Sequence, residues 1–112
     1  MANNFNNAGA SGISTNSASP TTLYTSTGFK TIVIELDISN TGTNASSVTA
    51  ILYDTSANTS YHIVKDAPLP SGSTIKVISG QKVVLNDGDE IRVYASANSS
   101  ADAIISLLED VA

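Results

Sequence analysis

Apolar and polar residues alternate with period two through most of the chain after Pro20. In Lys30–Asn40, Ile32, Ile34, Leu36 and Ile38 alternate with Val33, Glu35, Asp37 and Ser39. That pattern predicts a half-buried strand with Glu35 and Asp37 facing water. Asn40–Asn44 reads as a loop. Val48, Ala50 and Leu52 alternate with Thr49, Ile51 and Tyr53, a second long strand. Asp54–Thr59 turns the chain, and Tyr61–Lys65 returns as a third strand, giving a hairpin with a longer loop.

Ala67-Pro-Leu-Pro-Ser-Gly72 cannot be a central strand, because proline cannot donate to a ladder. It predicts a crossing between sheets. Thr74–Ile78 and Lys82–Leu85 read as short strands separated by a Ser79-Gly80 turn. Asn86-Asp-Gly-Asp89 is the strongest turn signal, since Gly88 can adopt the positive φ of a tight turn. Glu90–Ala97 places Ile91, Val93 and Ala95 on one face. Asn98–Ser100 reads as a turn, and Ala103–Leu108 closes the set with Ile105 and Leu107 inward. In 101–112, Asp102 could cap a helix, but the β-branched residues and the short length favour a strand. With Thr21–Thr25 the chain has about eight short strands at the spacing of an antiparallel β-sandwich, jelly-roll or immunoglobulin-like, occupying residues 20–112.

Residues 1–19 break this pattern. They are rich in Asn, Ala, Ser and Gly, with Phe5 and Ile13 the only large apolar side chains after Met1. Such a segment buries too little apolar surface to hold itself in place. It predicts an extended N-terminal arm that is ordered where it docks. Phe5 would be its anchor, and Asn3, Asn4, Asn6 and Ile13 further contacts.

Length and composition narrow the function. The 112 residues suit one domain. There is no Cys and a single His, which removes disulfides, Cys nucleophiles and multi-His metal centres. The net charge of −5 argues against a nucleic-acid groove or an anionic membrane surface. No apolar run has the length of a membrane span, and residues 1–7 lack the features of a signal peptide. Only 13% of residues are charged; polarity comes from Ser (17), Thr (12) and Asn (10). A surface of hydroxyls and amides can be covered by another protein without stranding buried charge.

Candidate chemistry is sparse. Ser60, His62 and Asp66 supply hydrolase residue types, but His62 lies in a strand and no Gly-x-Ser-x-Gly elbow exists. Asp87, Asp89 and Glu90 surround Gly88, where a hard cation is conceivable, yet Asp-Gly-Asp is ordinary turn chemistry. Glu35 and Asp37 lie two apart on a solvated face, and Glu109 and Asp110 near the end read as solvated. No glycine-rich phosphate loop is present. Asn44, Asn58 and Asn98 open glycosylation sequons that read as chance. Tyr24, Tyr53, Tyr61 and Tyr94 could form a stacking platform for a glycan, or pack at edges and subunit contacts. No catalytic residue, cofactor or metal is expected.

Three segments carry a resemblance: Met-Ala-Asn-Asn-Phe-Asn-Asn-Ala at the start, 61–74 with Lys65-Asp-Ala-Pro-Leu-Pro-Ser-Gly72, and 81–93 with Gly88-Asp-Glu-Ile-Arg-Val93, followed by 99–109. In this order they resemble the small virion structural proteins of tailed bacteriophages, especially marine and cyanobacterial ones. The resemblance implies a non-enzymatic capsid decoration (cement) protein. It would be a homotrimer on the outer head surface, made in the host cytoplasm, with the major capsid protein as partner. The alternative it leaves open is a tail, baseplate or fibre module that binds another tail protein or a host-surface glycan.

Overall fold

The computed structural model describes residues 3–96 and 101–111. It is all-β, with eight strands. They are β1 (Asn4–Ala10), β2 (Thr21–Thr25), β3 (Thr31–Asn40), β4 (Ser46–Asp54), β5 (Thr59–Leu69), β6 (Thr74–Leu85), β7 (Glu90–Ala95) and β8 (Ala101–Glu109). Two four-stranded antiparallel sheets form, in the orders β1-β8-β3-β6 and β2-β7-β4-β5. They are called sheets A and B below. Their inner faces meet in one apolar core, a β-sandwich.

The core follows from the alternation. Sheet A sends in Val33, Leu36, Ile38, Ile78, Leu85, Ile105 and Leu107, and sheet B sends in Val48, Ala50, Leu69, Ile91 and Val93. Each large side chain among them contributes about 1.5–3 kcal/mol of burial free energy. Ile105 and Leu107 point inward, and 101–109 is a strand, both as the pattern predicts.

The structure corrects the sequence reading in four places. First, β3 carries a register break between Val33 and Glu35 on both of its ladders. An extra residue in a strand re-aims everything beyond it. Val33 is therefore in the core with Leu36 and Ile38, while Ile32 and Ile34 are only partly covered. Second, Ser79-Gly80 does not separate two strands. It opens an irregular step inside β6, where Gly80 (φ 100°) and Lys82 (φ 56°) take left-handed backbone. Third, Ala67-Pro68-Leu69 extends β5 as the edge of sheet B, where a missing N–H is tolerated. The crossing to sheet A starts at Pro70.

Fourth, residues 4–10 form β1, paired with β8 without a register break from Asn4↔Glu109 to Ala10↔Ala103. Ala8 and Ala10 pack against the core from this strand. The chain then crosses to sheet B and buries Ile13, 1% exposed, in the shared core. The Ile13 N–H donates to the Ala101 carbonyl (2.9 Å) and the Ala95 N–H to the Ser14 carbonyl (2.8 Å), so this crossing is tied to both sheets. The expected strand end at Ala97 and turn at Asn98–Ser100 lie outside the described residues.

Candidate interaction surface

Two polar clusters close the sandwich. At one end the Tyr24 hydroxyl, on β2, donates to Glu109 Oε2 of β8 at 2.5 Å and lies 3.2 Å from Thr31 Oγ1 of β3. Thr31 is also 2.9 Å from Ser26 Oγ, which donates to the Phe29 carbonyl. Asn6 Nδ2 donates to the other Glu109 oxygen at 3.1 Å, which fastens β1 to the same cluster. Burial first, then the hydrogen bond to Glu109 and its negative charge, push the Tyr24 hydroxyl up to about 12, against a smaller opposite effect of Thr31. At the other end Asn40 is buried; its Nδ2 donates to the Asn44 and Leu69 carbonyls, and its Oδ1 accepts from the Gly42 N–H.

The residues considered for chemistry are spread over the molecule. His62 and Ser60 are exposed on β5, and among the described residues no hydrogen bond joins His62 to Ser60 or Asp66. The Asp66 N–H instead donates to Thr49 Oγ1 at a left-handed step in the strand (φ 51°). Asp87 accepts from the Gly28 N–H at 2.7 Å, and Asp89 from the Asn86 N–H at 3.0 Å. Glu90 pairs with Arg92 Nε at 2.7 Å. These acids serve turns and a neighbouring guanidinium, and among the described residues no three acids or His group as a metal cage.

Glu35 and Asp37 lie on the outer face of sheet A, but half-buried rather than fully solvated. Burial, then a hydrogen bond and charge from Glu35, hold the Asp37 carboxyl above its ordinary range, partly offset by Lys76. Asp37 Oδ1 is buried with no hydrogen-bond partner. Lys76 is 3.9 Å from Glu35 and exposed, a pair of little energetic weight.

The four tyrosines do not form one platform. Tyr24 is turned inward and engaged with Glu109. Tyr53 shares the outer face of sheet B with Tyr94, but Arg92 covers its ring at 3.9 Å and its hydroxyl donates to Asn58. Tyr61 is exposed on edge strand β5.

The arm residues divide as well. Asn3 sits beside the C-terminal end of β8, its N–H donating to the Asp110 carbonyl at 3.3 Å. Asn4 and Asn6 lie on β1 opposite Glu109 and Leu107. Ile13 belongs to the chain's own core, so its side chain is not available to a partner in this conformation. Phe5 is 78% exposed on the outer face of sheet A.

Phe5 does not stand alone there. It pairs with Leu108, Leu108 with Ile32, and Ile32 with Val84. One residue from each strand thus builds an apolar row across the whole outer face. Val84 is 54% exposed, and Leu108 and Ile32 are half-buried. Sequence reasoning found Phe5 and missed the other three, because strand order alone brings them together. No known protein family matches the chain, and no curated protein or solved structure does either.

Proposed function

We propose that the protein is a non-enzymatic virion structural protein that decorates the outer capsid surface of a tailed bacteriophage and stabilises the shell. The observation that carries this reading is the apolar row Phe5–Leu108–Ile32–Val84. A row of large apolar side chains on an outer sheet face fits a seat for another protein. Beside it on the same face Asn7 and Ser106 are uncharged, while Glu35, opposite Ser106, is a charge that a partner would have to match. The major capsid protein is the proposed partner.

The strand orders β1-β8-β3-β6 and β2-β7-β4-β5 support the jelly-roll form of the sandwich over the immunoglobulin-like one. Jelly rolls occur in viral capsid and lectin domains, which agrees with the virion reading by analogy of fold. The sequence resemblance to phage structural proteins points the same way.

The test is electron cryomicroscopy of the source particle with and without this chain. The reading expects density on the head lattice at a copy number that scales with the capsid protein. Val84→Lys should abolish rebinding to stripped heads, because it puts a charge into the row at an exposed position where folding is unaffected. Density confined to the tail would move the function to attachment or tail assembly. Absence from the particle would overturn the virion reading altogether.

A further inference from the structure

We infer that the free edge of β1 is a self-association site, where β1 pairs antiparallel with β1 of a second copy about a twofold axis at Asn7. An open strand edge is a template for another strand unless something blocks it. The sandwich has four edges, β1 and β6 in sheet A and β2 and β5 in sheet B. Three of them are blunted. β5 carries Lys65, Pro68 and a left-handed Asp66. β6 carries Lys76, Lys82 and the Gly80–Lys82 irregularity. β2 has five residues and a register break between Thr22 and Tyr24.

β1 has none of these devices. Its seven residues, Asn4-Phe-Asn-Asn-Ala-Gly-Ala10, include no charge and no proline, and its ladder with β8 is unbroken. Asn6 Oδ1 accepts from the Asn7 N–H at 2.8 Å, a local cover that an incoming strand can displace.

The second copy is the occupant that the residues favour. The chain carries a net charge of −5, so most approaches of two copies oppose like charges. β1 is neutral and avoids that repulsion. Pairing centred on Asn7 sets Phe5 opposite Gly9 of the other copy, Asn6 opposite Ala8, and Asn4 opposite Ala10. Phe5 and Gly9 lie on the same outer face, and Gly9 has no side chain to obstruct the ring. Gly9 also pairs with Ile104, which is 53% exposed. The exposed Phe5 ring of one copy therefore lands over the Gly9 backbone and against the exposed Ile104 of the other, twice per pair. A large side chain meets a gap, and two bare apolar groups cover each other. Because β1 is the only unblunted edge among the described strands, it finds only its own equivalent, and the isologous contact closes at two copies. This differs from the threefold association that the sequence resemblance implies.

Sedimentation velocity of the intact chain over a concentration series tests the inference. The expected species is a dimer of twice the 11.5 kDa chain mass. Asn7→Lys puts two like charges face to face at the axis and should weaken dimerisation roughly tenfold or more. Val84→Lys, on the far edge strand, should leave the dimer intact. Circular dichroism and thermal melting confirm that both variants fold. The chain has no Cys, so Asn7→Cys offers a second readout. Directly opposed strand residues have Cα atoms within disulfide reach, and oxidation should give a crosslinked dimer with no competing thiol. A monomer at the highest concentration, a trimer, or a dimer indifferent to Asn7→Lys would each overturn the inference. The inference is independent of the capsid reading: a dimer that ignores phage heads would sink that proposal and leave this one standing.

Discussion

Replacing Tyr24 with Phe removes one oxygen from the cluster that joins the two sheets. The lost hydroxyl donates to Glu109 at 2.5 Å and lies 3.2 Å from Thr31. A hydrogen bond to a charged group is worth about 1.5–3 kcal/mol. The hydroxyl pKa sets how the effect depends on pH. It rises from 10.0 to about 12, because burial and the Glu109 carboxylate both disfavour the phenolate. Two units mean that ionisation costs the fold about 2.7 kcal/mol, which partial solvent exposure brings to about 2; at pH 7 the phenol is neutral and the hydrogen bond alone sets the cost of losing it. Tyr24→Phe should therefore cost about 2 kcal/mol at pH 7, a fall in melting midpoint of roughly 8–9 °C. The folded-state pKa is raised, so the stabilisation is complete below pH 10 and is lost as pH climbs through 12. Urea melts of both proteins at pH 7, 9, 11 and 12 check this. The other titrating groups are common to both proteins, so the gap between the two isolates Tyr24. It should be constant to pH 9 and close by pH 12. A variant within about 0.5 kcal/mol of the parent at pH 7, or a gap undiminished at pH 12, would refute the reasoning.

Other substitutions probe the N-terminal segment and the outer face of sheet A. Ile13→Ala should destabilise the domain by about 2–5 kcal/mol, since it empties a core site. Phe5→Ala, measured by denaturant melts at a dilution where the chain is monomeric, should stay within about 0.5 kcal/mol of the parent; equal losses at both sites would contradict this placement. Asp37→Asn should raise the urea midpoint at pH 7. The raised Asp37 pKa means that ionisation disfavours the fold as pH rises through the folded-state value, and the amide removes that penalty. The gain should vanish at pH 3, where the carboxyl is protonated in both states.

The strands that the sequence discloses are those whose inner residues alternate without interruption. β7 and β8 are of this kind, with Ile91 and Val93, and Ile105 and Leu107, in the core as the period requires; β4 sends Val48 and Ala50 inward likewise but also buries Thr49 and Ile51. β3 misleads because its register break near Ile34 exchanges faces in mid-strand, and a continuous run of Ile, Val and Ile gives no local sign of it. β1 was illegible as a strand for another reason. Its inward residues include only Ala8 and Ala10 as apolar groups, too small for a propensity signal, so its pairing depends on β8, about a hundred positions away. Such distant pairing also builds the apolar row. Phe5 could be recognised from its isolation among Asn residues, but Leu108, Ile32 and Val84 become its neighbours only once the strand order is known. The Tyr24–Glu109 link was hidden likewise: each residue read alone is a surface aromatic or a solvated acid.

The antiparallel ladder between β1 and β8 also determines how the domain would respond to a pulling force. Asn3 and Asp110 lie side by side at one end of that ladder. A load applied between them would break the hydrogen bonds one after another, as a zipper opens, and not all together in shear. The unzipping would first meet the Asn6–Glu109 bond and then travel toward Ala10. It would halt where Ile13 enters the core, leaving seven strands still packed. The mechanical weak point is thus a single peelable strand, and the first side-chain bond it loses belongs to the Glu109 cluster that joins the sheets.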